Sequence, residues 1–275
     1  MKIRYGAGLL LLLLLSACGV PRQQSLKSAA LDPDEPVRVI DDLEPPVETD
    51  QSASNAAEPQ AVDQEILIAI DPGHQAWDVD MSAPEPNAPG SDVRKAKATT
   101  GTSGSYSGVP EYELNLAVSL LLRDELNTRG YDVVLTREDN QTAISNAERA
   151  QLANEAGADI YLRIHANGSE DSGVHGALAL VPSGENAYVG ALAGDSQRLG
   201  QCVLSAYCAA SGFSDRGIQF NDTMTGMNWS KIPVIILEMG FMTNESDDLQ
   251  MADDAFRRIM AQGIADGIDQ YYEEK

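Results

Sequence analysis

Two of the three histidines in the chain lie just beyond the ends of apolar runs, and such positions suit metal or acid–base chemistry. His74 comes after residues 66–70 and a tight Asp-Pro-Gly turn, and His165 comes after residues 160–164. If both runs are buried strands, both imidazoles lie beyond the carboxyl ends of strands, where the ligand sites of open α/β sheets are found. The pattern favours a functional pair of histidines over two structural ones.

The third ligand of such a metal site is left open by the sequence. Zinc in hydrolytic sites takes three protein ligands of histidine or carboxylate type and keeps one position for water. Pro110 suits the first position of a helix, so Glu111 lies in a first turn where the helix dipole favours an acid. The spacing does not decide between Glu111 and Glu113. His175, in a glycine-flanked turn, is a weaker alternative that would complete a three-histidine site.

Glu238 is a candidate for acid–base chemistry because it ends an apolar run, residues 234–237. Burying a carboxylate is costly unless the group is paired or bound to a cation. Beside a metal-bound water, such a carboxylate could take the proton of the water and pass it to a leaving nitrogen. The alternative is a glutamate at a strand end that faces solvent.

The elements that must hold these residues alternate between strands and helices. Apolar runs predict buried strands at 66–70, 133–135, 160–164, 177–181 and 234–237. Helical spacing predicts helices over 114–129, 147–156, 188–210 and 249–272. The alternation predicts a three-layer α/β fold, with a twisted, mostly parallel sheet and helices on both faces, as a single catalytic domain.

Two polar stretches fit neither pattern. Residues 75–110 are rich in proline, glycine, serine and threonine, and they join two of the proposed ligands, so we predict an active-site rim or lid. Residues 215–229 are expected to form a further groove loop, in which Arg216 or Trp229 contacts substrate or simply packs.

The amino terminus has the features of an export signal. Lys2 and Arg4 precede seven leucines and a Ser-Ala-Cys sequence that ends at Cys18. This arrangement resembles the bacterial lipobox, and the resemblance implies that Cys18 is lipidated; the alternative is an ordinary cleaved signal. We therefore expect a lipoprotein signal peptide at 1–18, a disordered acidic tether at 19–64 and the catalytic domain at 65–275.

The charge balance excludes one class of partner. The chain has 42 acidic against 19 basic residues and a net charge of −23, so it lacks the cationic surface that binds nucleic acid. Its three cysteines are too few for a disulfide scaffold.

An ordered set of short motifs within residues 66–272 resembles one enzyme family. The motifs are Ile70-Asp71-Pro72-Gly73-His74, Glu111 with Leu114-Asn115-Leu116, Leu135-Thr136-Arg137, Arg149 with Ala153-Asn154, Ile164-His165-Ala166-Asn167, and Leu237-Glu238-Met239-Gly240-Phe241. Together they resemble the catalytic domain of the zinc-dependent N-acetylmuramoyl-L-alanine amidases, which are bacterial cell-wall hydrolases. The chain departs from the usual pattern at Gln75 and at Tyr112-Glu113, and neither change falls on a proposed ligand.

The resemblance assigns a role to each candidate. It implies one zinc ion held by His74, Glu111 and His165, and Glu238 as general acid/base on a zinc-bound water. The implied reaction is hydrolysis of the amide between N-acetylmuramic acid and L-alanine in peptidoglycan. Asn167 and Arg216 are the expected substrate contacts.

Two rival functions stay open at this stage. One is a zinc carboxypeptidase acting on peptides, and the other is a catalytically idle wall-binding lipoprotein. On the main interpretation, the partners are peptidoglycan and, through the lipid anchor, the membrane. The enzyme would lie on the outer face of the cytoplasmic membrane. The sequence does not identify a protein activator or a preference for a particular stem peptide.

Overall fold

A six-stranded sheet forms the centre of the structure, a computed structural model that describes residues 65–273. The strands along the chain are β1 (Leu67–Pro72), β2 (Pro84–Pro86), β3 (Arg94–Ala96), β4 (Asp132–Leu135), β5 (Ile160–Asn167), β6 (Ala177–Val181), β7 (Asp215–Phe220) and β8 (Val234–Phe241). The main sheet has the order β4-β1-β5-β8-β6-β7. Only β6 and β8 are antiparallel among its neighbouring pairs. The predicted, mostly parallel sheet is confirmed.

Helices cover both faces of this sheet, as predicted. They are α1 (Glu111–Thr128), α2 (Asn146–Glu155), α3 (Ala193–Ser211), α4 (Thr225–Asn228), α5 (Glu245–Ala252) and α6 (Asp254–Glu273). One hydrophobic cluster joins one face of the sheet to α1, α3 and α6, and a second joins the other face to α2 and α4. Within the described residues, no helix is both long enough and apolar enough to span a bilayer.

The alternation of side chains along β5 places two functional-site side chains, those of Arg163 and His165, on one face of the sheet. Ile160, Leu162 and Ile164 belong to the first cluster, so the intervening Arg163 and His165 face the opposite side. In the parallel ladder Glu238 is the partner of His165, on a neighbouring strand about 4.8 Å away. The sheet therefore brings the imidazole and the second carboxylate side by side.

Three segments differ from the sequence-based expectation. The 75–110 stretch contains an antiparallel hairpin of β2 and β3, with Trp229 Nε1 donating to Pro86 O. The predicted 215–229 loop is instead strand β7 followed by the short helix α4, so that prediction was wrong. The predicted helix 249–272 is interrupted at Asp253, whose extended backbone ends α5 and whose carboxylate accepts from Phe256 N.

Two predictions concern residues outside the described range: the signal peptide with Cys18, and the tether at 19–64. They stay predictions.

Candidate metal centre

The three side chains predicted as metal ligands converge. His74 Nε2 lies 3.1 Å from Glu111 Oε1, and His165 Nδ1 lies 3.3 Å from the same oxygen. The two imidazole nitrogens are 3.2 Å apart. The three residues come from three elements: the turn after β1, the first turn of α1, and β5. The exposed Glu113 lies outside this group, as does His175.

This triangle fits a tetrahedral zinc ion. With ligand bonds of about 2.0–2.1 Å, tetrahedral donors lie about 3.3–3.4 Å apart, close to the three separations found here. Burial lowers the pKa of His165 to about 4, so its imidazole is neutral at physiological pH and offers a lone pair. Nε2 of His165 has no hydrogen-bond partner in the described part of the chain, and its ring packs where a Cβ at Gly73 would stand.

His74 is held in an unusual backbone conformation. Its φ is +64°, the only positive value at a non-glycine position among the described residues, and such strain persists only where the surroundings enforce it. The Nδ1 atom lies 2.9 Å from Thr99 O, which fixes the tautomer and leaves Nε2 free to bind a metal. Arg149 Nη2 donates to the His74 carbonyl at 2.9 Å.

The carboxylate of Glu111 is surrounded by donors. Oε2 accepts from Thr102 N at 2.9 Å, and Oε1 accepts from Ala166 N and from Asn115 Nδ2, each at 3.2 Å. Burial would raise the pKa of Glu111, but its close contacts with His165 and His74 outweigh burial and hold the pKa well below its usual range. The group is therefore ionised at neutral pH.

A buried network of charges lies beneath the turn that carries His74. Arg149 and Arg163 each approach an oxygen of Asp71 at 2.7 Å. Burial would raise the pKa of Asp71, but the two guanidiniums outweigh it and hold the pKa well below its usual range. Arg137 donates to the carbonyls of Pro72 and Gly73, each at 2.9 Å. Arginine side chains therefore hold the backbone of the turn from below.

Glu238 and the three proposed ligands line one cavity of about 500 Å³. Glu238 is partly exposed there. Burial, with repulsion from Glu111, raises its pKa to about 8. A carboxyl group with a pKa near neutrality can both release and accept a proton, which is what a general acid/base requires.

Only one of the two predicted substrate contacts lines the cavity. Asn167 lines the cavity. Arg216 is not among the lining residues; its guanidinium donates to His175 O and lies 5.4 Å from the centroid of the Phe241 ring. Trp229 packs against the hairpin through its bond to Pro86.

Sequence reasoning missed several polar residues that line the cavity, among them Lys95, Thr99 and Arg163. Lys95 and Thr99 lie in the long polar stretch, where no periodicity predicts which side chains turn inward. Arg163 did carry a signal, since it is a cation inside an apolar strand at the same parity as His165.

Comparison with known proteins gives one consistent family. The model of the family described as N-acetylmuramoyl-L-alanine amidase matches residues 68–270. The chain is 32% identical over 168 residues to the N-acetylmuramoyl-L-alanine amidase LytC of Bacillus subtilis, covering 60% of this chain and 32% of LytC. It is 27% identical over 212 residues to the N-acetylmuramoyl-L-alanine amidase Rv3717 of Mycobacterium tuberculosis, covering 74% of this chain and 85% of that protein.

The solved structures agree with this result. The apo form of the N-acetylmuramyl-L-alanine amidase Ami1 from Mycobacterium abscessus aligns with a TM-score of 0.68 at 26% identity. The alignment covers 75% of this chain and 98% of that one. The matched region is therefore almost the whole of Ami1 but about a third of LytC.

Proposed function

The chain belongs to the N-acetylmuramoyl-L-alanine amidase family, and from that premise we propose that it is a zinc enzyme in which Glu238 is the general acid/base. The bond that it hydrolyses is the amide between the lactyl group of N-acetylmuramic acid and L-alanine in peptidoglycan. Family membership disfavours the idle wall-binding protein and the carboxypeptidase, which would release a terminal amino acid instead.

One observation carries the zinc proposal. Two imidazole nitrogens and one carboxylate oxygen lie 3.1–3.3 Å from one another inside a cavity that Glu238 also lines. His74, Glu111 and His165 would hold the ion. The chemistry that zinc supplies when bound is Lewis-acid polarisation of a carbonyl group and of water.

The protein's own groups account for the proton transfers. Glu238 takes the proton of the attacking water and gives it to the nitrogen of alanine as the amide breaks, which avoids expelling an amine anion. Glu111 stays ionised because its oxygens accept several hydrogen bonds, and it therefore does not compete for that proton. Asn167, on the cavity wall, is proposed to contact the substrate.

The experiment that tests this function is digestion of purified peptidoglycan with and without a chelator. We expect new amino-terminal alanine and glycan strands freed from their stem peptides, and loss of both signals with chelator. Release of a free terminal amino acid would indicate the carboxypeptidase instead.

Variants separate the roles of the residues. Glu238→Gln should keep stoichiometric zinc and lose cleavage by roughly 10²–10⁴-fold, the usual contribution of a positioned acid/base. His165→Ala should lose zinc itself, whereas His175→Ala, outside the cluster, should keep both zinc and activity. Full activity of Glu238→Gln would overturn its assigned role.

We further propose that Cys18 is lipidated and that residues 19–64 act as a tether, which would hold the domain on the outer face of the cytoplasmic membrane. The support is the charged start, the leucine run and the small residues before Cys18. Metabolic labelling with palmitate tests it: the wild-type protein should incorporate label and Cys18→Ser should not. Unlabelled wild-type protein would contradict the anchor.

A further inference from the structure

Arg163 is a buried cation on the wall of the catalytic cavity, and the mechanism above gives it no role. It is 3% exposed and lines the cavity with Glu238 and the three proposed ligands. Its Nε donates to Asp71 and its Nη2 to Asn146, each at 2.7 Å. Neither of these acceptors uses Nη1, the third nitrogen of the guanidinium. A nearly buried side chain that lines the cavity therefore has one guanidinium nitrogen, Nη1, that takes part in neither of these two bonds.

The charges around Arg163 do not balance. Arg137, Arg149 and Arg163 form one buried group, and among the described residues Asp71 is the only carboxylate with which they form an ion pair. Arg137 donates to neutral oxygens, among them those of Pro72 and Gly73. Burial, with repulsion from Arg149, lowers the pKa of Arg137 to about 9. Three cations thus face one anion, whereas buried charges are normally paired.

The cavity adds another cation at its edge. Lys95, on β3, lines the same space and donates its ammonium proton to Thr223 O. Glu111 and Glu238 of the proposed metal centre are the carboxylates that line this cavity, and the remaining charged residues of its wall are the cations Lys95 and Arg163. Such a wall favours a substrate group that carries negative charge.

The register on β5 indicates which substrate group can reach Arg163. Arg163 precedes His165 by two residues on the same face, a distance of roughly 6.6 Å along the strand. An extended peptide also advances about 3.3–3.6 Å per residue, so two residues reach about 7 Å beyond the scissile carbonyl. In peptidoglycan, the residue after alanine is a glutamate joined through its side chain. Its α-carboxyl group is either a free carboxylate or an amide.

We propose that Arg163 binds the free α-carboxylate of the second stem-peptide residue, so that the enzyme prefers stems with a carboxylate there over stems with an amide. This inference rests on the proposed amidase function and adds a substrate preference to it. A guanidinium donates to a carboxylate through charge-assisted bonds, whereas an amide in the same place also presents an N–H group to a cationic donor. The discrimination therefore combines a gained bond with an unfavourable contact.

Gly226 gives a second way to disturb the same group. A Cβ at position 226, in α4, would stand 2.3 Å from Arg163 Nη1. The same Cβ would stand 2.5 Å from Arg163 Cζ, so Gly226→Ala displaces the guanidinium without removing its charge. This variant matters because Arg163→Gln leaves a buried Asp71 with one partner fewer and risks failure to fold.

The test uses three muropeptides that are otherwise identical: one with free carboxylates, one amidated at the second residue, and one amidated only at the C-terminal carboxylate. The measured quantity is kcat/KM for release of the stem peptide. We expect wild-type protein to prefer the first over the second by roughly 10- to 100-fold, chiefly through KM, and to cleave the third about as well as the first. In Arg163→Gln and Gly226→Ala, the ratio of first to second should fall toward one.

Matched controls are an arginine and a glycine far from the cavity. Arg123→Gln, on the outer surface of α1, and Gly194→Ala, in α3 with open space at the Cβ position, should keep the wild-type ratio. Equal cleavage of the first two substrates by wild-type protein would overturn the inference while leaving the amidase proposal intact. An unchanged ratio in Arg163→Gln or Gly226→Ala, whichever folds, would also overturn the inference. Discrimination against the third substrate alone would overturn it as well. Failure to cleave any of the three would overturn the proposed function and this inference together.

Discussion

Single residues in this site act through the backbone that holds them. His74 has a φ of +64°, and the carbonyls of the turn are held by guanidiniums: Pro72 O and Gly73 O by Arg137, and Pro72 O and His74 O by Arg149. The imidazole is thus aimed by groups that do not touch a metal ligand atom. Such supporting groups usually change metal affinity about 10- to 100-fold when they are altered.

Arg149→Lys tests this support. Lysine keeps the charge but not the fork of donors that reaches Asp71, Pro72 O and His74 O together. We expect zinc affinity to fall by about 10- to 100-fold, measured by competition with a chromogenic chelator, while the pH profile of residual cleavage keeps its shape. Unchanged zinc affinity would show that the turn keeps its conformation without the guanidinium of Arg149.

At Glu238, the stability of the fold and the proposed acid–base function oppose each other. Burial raises its pKa to about 8 in the fold, against about 4.5 as the ordinary value. Between those pH values the folded protein keeps a proton that the unfolded chain has released, so rising pH favours unfolding. We expect metal-free Glu238→Gln to be more stable than the wild type at pH 8, by about 1–3 kcal/mol, and almost equal at pH 4. Denaturant titrations at both pH values decide this; an equal difference at both would contradict the raised pKa.

At the scale of elements, the sequence predicted those parts that depend on local pattern. Apolar runs located five strands of the main sheet, because buried parallel strands have few polar positions. The sequence did not show β7, an edge strand whose residues are largely exposed, or the β2–β3 hairpin, whose position depends on distant contacts such as Trp229 with Pro86. Arg163 was missed although a cation within an apolar run was a signal, because the run does not show which residues of other elements contact it.

The contact between α3 and α6 yields an element-scale prediction. A Cβ at Gly267 would stand 2.4 Å from Val203 Cα and 2.7 Å from Cys202 O, so the helix backbones would have to separate. We expect Gly267→Ala to destabilise the fold by about 1–3 kcal/mol. Gly194→Ala, on α3 with open space around the added methyl, should be neutral or slightly stabilising. Thermal unfolding of both variants measures the difference, and equal melting temperatures would contradict the close approach.

At the scale of the whole molecule, catalysis and targeting are expected to be separable. The hydrogen bonds and ion pairs of the site join residues within 65–273. An acidic domain is not attracted to anionic wall polymers, so the proposed anchor would supply the proximity to substrate that charge does not.

A chain that begins at residue 65 tests this separation. We expect it to melt within about 2 °C of the full-length protein and to cleave soluble muropeptides at the same rate, because the site's contacts remain. In cells it should no longer sediment with membranes. Loss of activity on soluble substrate would show that residues 1–64 contribute to catalysis.

The hydrogen bonds from Arg137 and Arg149 to the turn that carries His74 have a consequence for control of the enzyme. Because guanidiniums hold the carbonyls of Pro72, Gly73 and His74, removal of the proposed zinc ion should leave the binding site preformed. Chelated protein should regain full turnover within seconds of zinc addition, with no refolding phase by circular dichroism. A slow recovery would show that the binding site loses its structure when the ion is removed. For the proposed exported enzyme, supply and scarcity of the ion would then switch wall cleavage on and off without any change in the amount of protein.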